Sequence, residues 1–416
     1  MNTAEKLQFD AREGNVGNSM DVMKALKERQ HEMLLQGREV VDLSMVNPDL
    51  PPPRPVLDRL LEYVTKTSTH KYAVSRGVRR LREAFSEKYK KFGVALNPES
   101  EVCVCLGSKD ATYHALRALV TPGDAVIVAA PAYPAHLSAA HLVGAAPVLW
   151  EPEEKREDAA ASLDALLRAT NAKLLVLNLP NNPTGRSVSA DWLHAVVAVA
   201  RRRNAYVIND FVYGEMCFDG SLPPSLLSVV ENGLTGVLEV YSLSKAYNVP
   251  GWRIGALSGD SEIVRAVARQ KSVADYGAFL PLQYAAALAL TSPDNLVRGT
   301  VSQYERRIRV LTKGLRAAGW VVSDPRAGAS VWASYPRALA ERAVSSSFEG
   351  IKGRALGDVT HEPESVKVAR FLLEELGILT TPGVVFGEPF DGFVRFAAVV
   401  PDERLREVVE AIGGLS

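Results

Sequence analysis

Residues 174–210, LLVLNLPNNPTGRSVSADWLHAVVAVARRRNAYVIND, contain two short apolar runs with a helical stretch between them. Leu174–Leu179 and Ala205–Ile208 have the length and the branched side chains of buried strands, and Ala190–Arg203 has the spacing of a helix. Strands that a helix connects run parallel in one sheet, because the crossover returns the chain to the same end. The stretch therefore predicts a parallel sheet with helices on its faces.

The same alternation continues on both sides of this stretch. It predicts an α/β fold, with a large domain at residues 49–295 whose mostly parallel sheet is covered by helices. The further predicted helices are Ala111–Leu119 and Ser261–Arg269. The further predicted strands are Glu101–Leu106, Ala125–Ala129, Pro147–Trp150, Leu238–Tyr241 and Ile254–Ser258.

After residue 295 the pattern changes to a long helix followed by shorter strands and helices. This predicts a smaller α+β domain at 296–416, with residues 1–48 forming an N-terminal arm and part of that domain. Val40–Met45 predicts a short strand, and Pro336–Pro363, which lacks periodicity, predicts a long loop or lid. The elements predicted for 296–416 are Leu296–Ala317, Trp320–Ser323, Ser330–Ser334, Ser365–Leu376, Phe393–Ala397 and Asp402–Ile412.

The composition excludes several classes of function. Lys+Arg and Asp+Glu are both 48, so the basic excess typical of a nucleic-acid binder is missing. The start of the chain has no apolar signal core, and no window reaches the roughly 18 apolar residues of a membrane span. We therefore expect a cytoplasmic protein with no nucleic-acid or membrane partner.

The three cysteines, Cys103, Cys105 and Cys217, are too few for a disulfide framework. Cys103 and Cys105 alternate with valines, which favours buried strand positions over zinc ligands, since zinc sites need more ligands at other spacings. The sequence predicts no metal site.

Polar residues follow several predicted strands, where ligand crevices form in open α/β sheets. Lys245 comes directly after Leu238–Tyr241, in Ser242-Leu-Ser-Lys245, and a partly desolvated lysine there can attack a carbonyl. Asp210 and Tyr213 follow Ala205–Ile208, and Asn182 follows Leu174–Leu179. These residues, with a helix start at 107–109, offer an amine, a carboxylate, hydrogen-bond donors and a phosphate cradle. Pyridoxal 5′-phosphate requires this set.

Three motifs give the chain a resemblance to a known family. They are His70–Gly77 (HKYAVSRG), Asn181–Gly185 (NNPTG) and Ser242–Gly255 (SLSKAYNVPGWRIG), in which Lys245 and Arg253 stand eight residues apart. The sequence resembles the fold-type I pyridoxal phosphate enzymes of the class I/II aminotransferases, which share an aspartate-aminotransferase-like fold. Within that family it is most similar to the alanine and LL-diaminopimelate aminotransferase groups.

The resemblance implies a role for each matching residue. Lys245 would form a Schiff base with the cofactor and later carry a proton, and Asp210 would keep the pyridine nitrogen protonated. Tyr213 and Asn182 would hydrogen-bond the phenolic oxygen, and Tyr133 would stack on the ring. Tyr72 would reach the phosphate of a neighbouring subunit, so the resemblance implies a homodimer with a shared active site. The phosphate ligands of the same subunit would be Gly107, Ser108, Lys109, Ser242 and Arg253.

The substrate side is less regular. Spacing alone suits Arg395 to a surface ion pair, whereas the resemblance places it, with Asn182, on the substrate's carboxylate. Val46 stands where the family usually has glycine before Asn-Pro-Asp. Its bulk leaves two alternatives: either the substrate sits differently, or the Val46 side chain points away.

These observations predict transamination between an amino acid and a 2-oxo acid. Elimination or replacement at the β- or γ-carbon, for example of S-adenosylmethionine, shares the same first step and stays open. A non-catalytic regulatory relative is a third possibility, but such proteins carry an added basic DNA-binding domain. No extension of that kind is present.

Overall fold

A computed structural model describes residues 17–346 and 362–415. The helices are α1 (Gly17–Leu35), α2 (Arg54–Val64), α3 (Arg79–Tyr89), α4 (Ser108–Leu119), α5 (Pro134–Leu142), α6 (Arg156–Thr170), α7 (Ala190–Arg202), α8 (Ser261–Ala274), α9 (Leu280–Thr291), α10 (Asn295–Ala317), α11 (Arg337–Ser345), α12 (Glu364–Leu376) and α13 (Asp402–Gly413). The strands are β1 (Val41–Asp42), β2 (Val102–Cys105), β3 (Ala125–Ala129), β4 (Ala146–Trp150), β5 (Leu174–Leu177), β6 (Tyr206–Asp210), β7 (Val237–Ser242), β8 (Gly255–Gly259), β9 (Val321–Val322), β10 (Ser330–Ser334), β11 (Ile378–Leu379), β12 (Thr381–Pro382) and β13 (Phe393–Ala397).

Seven strands form the large sheet, in the order β2-β8-β7-β6-β5-β3-β4. β8 runs antiparallel to both of its neighbours, and the pairs from β7 to β4 are parallel, so the predicted mostly parallel sheet is confirmed. The parallel strands β3, β5, β6 and β7 end at one edge of the sheet. The loops that follow them are therefore neighbours in space.

Helices cover both faces of the large sheet, which explains why its strands are mostly apolar on both faces. In β5, Leu175 and Leu177 belong to the core cluster on one face, which includes residues of α3, α6, α7 and α9. Leu174 and Val176 alternate with them and belong to the cluster on the other face, with residues of α4, α5 and α8. Cys103 and Cys105 are buried in that second cluster, as the strand pattern predicts.

The smaller sheet has the order β12-β13-β10-β9, with antiparallel pairing, and β1 pairs in parallel with β11. A separate core cluster packs beside this sheet. α10 joins both cores, because Val297 and Tyr304 belong to the large one while Ile308 and Leu311 belong to the small one. The domain boundary at 295/296 stays a prediction.

Two sequence predictions need correction. Arg337–Ser345 is a helix and not a loop, because Leu339, Ala340 and Ala343 lie buried on one face of it. The rest of the predicted lid, at 347–361, lies outside the described residues. The strand predicted at Val40–Met45 is only Val41–Asp42, since the Asp42 side chain accepts a hydrogen bond from the Ser44 backbone N–H and turns the chain.

Within the residues that the structure describes, no helix combines the length and the hydropathy that a bilayer span requires.

Candidate active site

A cavity of about 770 Å³ lies where the carboxyl ends of the parallel strands face the small sheet. Its wall brings together residues that are up to 372 positions apart in sequence, from Met23 to Arg395. Gly107 and Ser242 lie next to this wall without lining it, and Tyr72 is remote from it. The predicted site residues that line the cavity are Val46, Ser108, Lys109, Tyr133, Asn182, Asp210, Tyr213, Lys245, Arg253 and Arg395.

Lys245 enters the cavity from the turn after β7. Its Nζ donates a hydrogen bond to the backbone carbonyl oxygen of Val46. Burial, together with the positive charges of Arg395 and Arg253, lowers the pKa of Lys245 to about 8, while the charge of Asp210 opposes the shift. A substantial fraction of this amine is therefore neutral, and nucleophilic, near neutral pH.

The lowered pKa predicts how Lys245 reacts with an amine-specific acylating reagent in protein prepared without cofactor. Only the neutral amine attacks, so the rate constant should rise about tenfold from pH 7 to pH 9 and level off above that. Quantitative peptide mapping measures this rate for Lys245 separately from other lysines. A short lysine-containing peptide with an ordinary lysine pKa is the control, and its rate should still climb steeply at pH 9. A Lys245 rate that follows the control peptide contradicts the assignment.

Asp210 ends β6 and is buried. Its Oδ2 lies 3.1 Å from His136 Nε2, and its backbone carbonyl accepts a hydrogen bond from Asn178 Nδ2 at 2.8 Å. Its Oδ1 is also buried and has no hydrogen-bond partner among the described residues. A buried carboxylate oxygen without a partner is unfavourable, so this atom marks a place for a ligand that donates an N–H.

His136 and Asn178 contribute to the site although the sequence analysis did not include them. His136 is buried in the first turn of α5, with its ring 5.3 Å from the ring of Tyr133. Asn178 also accepts a hydrogen bond from the backbone N–H of Asn182 at 2.9 Å, and so holds that turn. Each residue had one signal in the sequence. Asn178 is a polar residue inside the apolar run 174–179, and His136 follows Tyr133 at helical spacing.

Tyr213 lies in the turn that follows β6 and is almost fully buried. Burial is the main cause that raises its pKa above the ordinary value of tyrosine, so the phenol stays protonated and can donate a hydrogen bond. Gly328 lies against its ring: a Cβ built there would stand 3.7 Å from it.

The start of α4 forms a cradle suited to an anion. Gly107 has φ +82°, and a Cβ built there would lie 2.4 Å from Arg253 Nη2, so only glycine fits beside the guanidinium. Arg253 donates to the carbonyl oxygens of Leu106 and Pro250 at 3.0 and 2.9 Å. Helix N–H groups that lack internal partners and a nearby arginine favour a phosphate group.

Asp110 and Ser242 stabilise the two sides of this cradle. Asp110 Oδ2 accepts a hydrogen bond from the Leu106 N–H at 2.8 Å, and Ser242 Oγ donates to Ser244 Oγ at 2.9 Å.

Ligand atoms of Asp110, His114 and Asp275 approach within 4.8 Å of one another, a spacing that could hold a cation. Lys271 Nζ donates to both aspartates at 2.9 and 2.8 Å and supplies the positive charge there.

Arg395 is buried, so the surface ion pair considered from its spacing is wrong. It donates to Asn182 Oδ1 and Thr381 Oγ1, both at 3.1 Å, and its guanidinium carbon lies 5.1 Å from the Phe386 ring centroid. Its Nε is buried and has no hydrogen-bond partner within 17–346 and 362–415. This nitrogen is available to bind an anion from the cavity.

The position of Val46 bears on the two alternatives that the sequence left open. Its carbonyl oxygen faces Lys245, while its side chain packs with the buried cluster of the large domain. The arrangement favours the alternative in which the Val46 side chain points away from the substrate.

The fold and the site together define an enzyme of the α/β class, with a nucleophilic amine, a buried carboxylate and an anion cradle in one crevice. The chain belongs to the aminotransferase class I and II family, whose model matches residues 38–412. It is accordingly a transferase that moves amino groups.

Similar proteins agree with this membership. The glutamate-pyruvate aminotransferase AlaC of Escherichia coli K12 is 36% identical over 380 residues, which cover 91% of this chain and 87% of that protein. An LL-diaminopimelate aminotransferase of Gloeobacter violaceus is 33% identical and covers 92% of each chain. The apo structure of BacF from Bacillus subtilis superposes with a TM-score of 0.80 at 31% identity, over 94% of each chain.

Proposed function

We propose that the cavity binds pyridoxal 5′-phosphate in covalent linkage to Lys245 and uses it to move an amino group from an amino acid to a 2-oxo acid. One observation carries the proposal: a buried Asp210 oxygen that has no partner among the described residues shares a cavity with the Lys245 amine, whose pKa is lowered. Pyridoxal phosphate has a ring nitrogen that suits the Asp210 oxygen and an aldehyde that suits the Lys245 amine. When bound, it supplies a ring that delocalises the electron pair left on the substrate's α-carbon.

The residues present fit the remaining parts of the cofactor. Asp210 accepts the N–H of the ring, and Tyr213 and Asn182 donate to the phenolic oxygen, since all three line the cavity. Tyr133 covers one face of the ring. The phosphate lies on the Gly107 cradle, against the backbone N–H groups of Ser108 and Lys109, the Ser242 hydroxyl and the Arg253 guanidinium.

The chain's own groups then handle the substrate. Arg395 binds the substrate's carboxylate through its unpaired Nε and a neighbouring Nη, and Asn182, already hydrogen-bonded to Arg395, holds the guanidinium in place. The amine of Lys245 takes the proton from the substrate's α-carbon. It then returns this proton to the carbon on the other side of the transferred nitrogen. A pKa of about 8 allows the amine to do both near neutral pH.

A spectral titration tests the proposed function. The purified holoenzyme is mixed with alanine, glutamate, LL-diaminopimelate and S-adenosylmethionine in turn, and the cofactor spectrum and the products are followed. Amino transfer predicts stoichiometric 2-oxo acid and conversion of the cofactor to its amine form with at least one amino acid. Turnover with loss of a leaving group and no amine form contradicts transamination and points to elimination or replacement.

The function also requires a second copy of the chain to complete the site. Tyr72 is 85% exposed and lies outside the cavity, with its ring 4.6 Å from that of Tyr276. Val74, Val273 and Phe279 are exposed nearby and extend an apolar surface, here called the Tyr72 patch. Exposed apolar patches mark protein interfaces, so this one suits a homodimer in which Tyr72 reaches the partner's phosphate cradle.

Hybrid dimers test the shared site. A Lys245→Ala chain is mixed with a Tyr72→Ala chain, and subunits are exchanged. The hybrid has one site with an intact Lys245 and an intact Tyr72 from the other chain, so cofactor affinity and activity should return at that site. If Tyr72 served its own subunit, no site in the hybrid would be intact, and the absence of recovery would count against the shared arrangement.

A further inference from the structure

A buried polar cluster lies beside the cavity without lining it. Glu215 accepts hydrogen bonds on both carboxylate oxygens, from Lys88 Nζ and from the Tyr241 hydroxyl. Burial and the charge of the same carboxylate raise the pKa of Tyr247, and Lys88 Nζ lies 5.6 Å from the centroid of its ring. The four side chains, here called the Glu215 cluster, are all buried: Lys88 and Glu215 are 1% and 7% exposed.

The Glu215 cluster connects the two turns that carry site residues. Glu215 comes two residues after Tyr213, whose carbonyl oxygen accepts a hydrogen bond from the Met216 N–H at 2.9 Å. Tyr241 precedes Lys245 by four residues in β7, and Tyr247 follows it by two. One carboxylate therefore bonds the strand that leads to Lys245, interacts electrostatically with Tyr247 beyond it, and is itself part of the Tyr213 turn.

Burying the two charges of this ion pair away from water is unfavourable. Burial lowers the pKa of Lys88, and the charge of Glu215 opposes that shift, so each charge depends on the other. Apolar side chains of similar volume can often replace a buried ion pair without loss of stability. A buried ion pair that joins two separate turns can instead fix the position of one turn relative to the other.

We propose that Glu215, neutralised by Lys88, is a positioning residue that fixes the Tyr213 turn against the Lys245 turn. The inference rests on the proposed function of these two residues. The phenolic oxygen of pyridoxal phosphate is adjacent on the ring to the carbon that bears its aldehyde. Tyr213 and Lys245 must therefore reach neighbouring atoms, and a small relative displacement changes both contacts.

Two variants test the proposal. Tyr241→Phe removes one hydroxyl from the cluster, and Lys88→Met/Glu215→Gln removes both charges without leaving one unpaired. Tyr335→Phe is the matched control, because its buried hydroxyl donates to Glu364 at 3.0 Å beside the small sheet, away from the cavity. The readouts are the thermal unfolding midpoint, the pH profile of Lys245 acylation without cofactor, and the pH midpoint of the bound cofactor's absorbance change.

Both variants should move the two pH midpoints by about one pH unit, and the Lys245 midpoint should rise as its amine gains water. Turnover should fall by about tenfold to a hundredfold. Tyr335→Phe should lower the unfolding midpoint to a similar extent as Tyr241→Phe and leave both pH midpoints unchanged. Unchanged midpoints in both test variants would overturn the proposal and leave the cluster a purely stabilising role.

The acylation profile keeps this inference separate from the proposed function. If pyridoxal phosphate does not attach to Lys245, the absorbance readout is silent in every protein, including the wild type. The acylation profile of Lys245 still reports whether the Glu215 cluster holds its amine.

Discussion

Lys245→Ala is expected to lower the rate of amino transfer by at least about a thousandfold, because it removes both the covalent anchor and the proton carrier. The amine lies in the cavity, where burial and nearby positive charges lower its pKa to about 8. The purified variant should also lose the absorbance of covalently attached cofactor. Steady-state rates and the absorbance spectrum are the measurements.

Lys24→Ala provides the control for this result. Lys24 lines the same cavity, yet it is exposed and its nearest acidic partner, Glu28, is 3.9 Å away, so its loss should change the rate little. A Lys245→Ala protein that keeps its colour and its rate would remove Lys245 from the mechanism.

Asp210→Asn is expected to leave the cofactor bound but to slow removal of the α-proton by about a hundredfold to a thousandfold. Asparagine has nearly the same shape as aspartate. It therefore stays in contact with His136, whose Nε2 lies 3.1 Å from Asp210 Oδ2. It removes the negative charge that, in the proposed function, keeps the ring nitrogen protonated. Exchange of the substrate's α-hydrogen for deuterium, followed by NMR, measures this step directly.

Asp260→Asn is the matched substitution at a second buried aspartate. Asp260 caps α8 by accepting a hydrogen bond from the Glu262 N–H at 2.8 Å, and asparagine caps helices equally well. Its exchange rate should equal that of the wild type. Full α-hydrogen exchange in Asp210→Asn would show that the charge on residue 210 does not support the reaction.

The large sheet could be predicted from the sequence because its signals are local. Each strand from β2 to β8 is an apolar run, and the helices between them have clear periodicity. Lys245 and Asp210 were found by the same route, since each directly follows a strand and the edge of a parallel sheet gathers such residues.

The remaining features depend on contacts between distant parts of the chain. β1 forms by pairing with Ile378–Leu379, and α11 is held by packing against α12, so neither element is specified by its own residues alone. Asp210 contacts His136 across 74 residues, so the only local signal for that histidine was its helical spacing from Tyr133. Arg395 seemed suited to the surface because its partners Asn182 and Thr381 come from other elements.

The roles proposed for the site all depend on the chemistry of one amine. Treating the purified holoenzyme with borohydride fixes any cofactor that is bound through a carbon–nitrogen double bond, and peptide mapping then locates it. We predict a single modified peptide, with the pyridoxyl group on Lys245. A modified peptide containing a different lysine, or no modified peptide at all, would contradict the account.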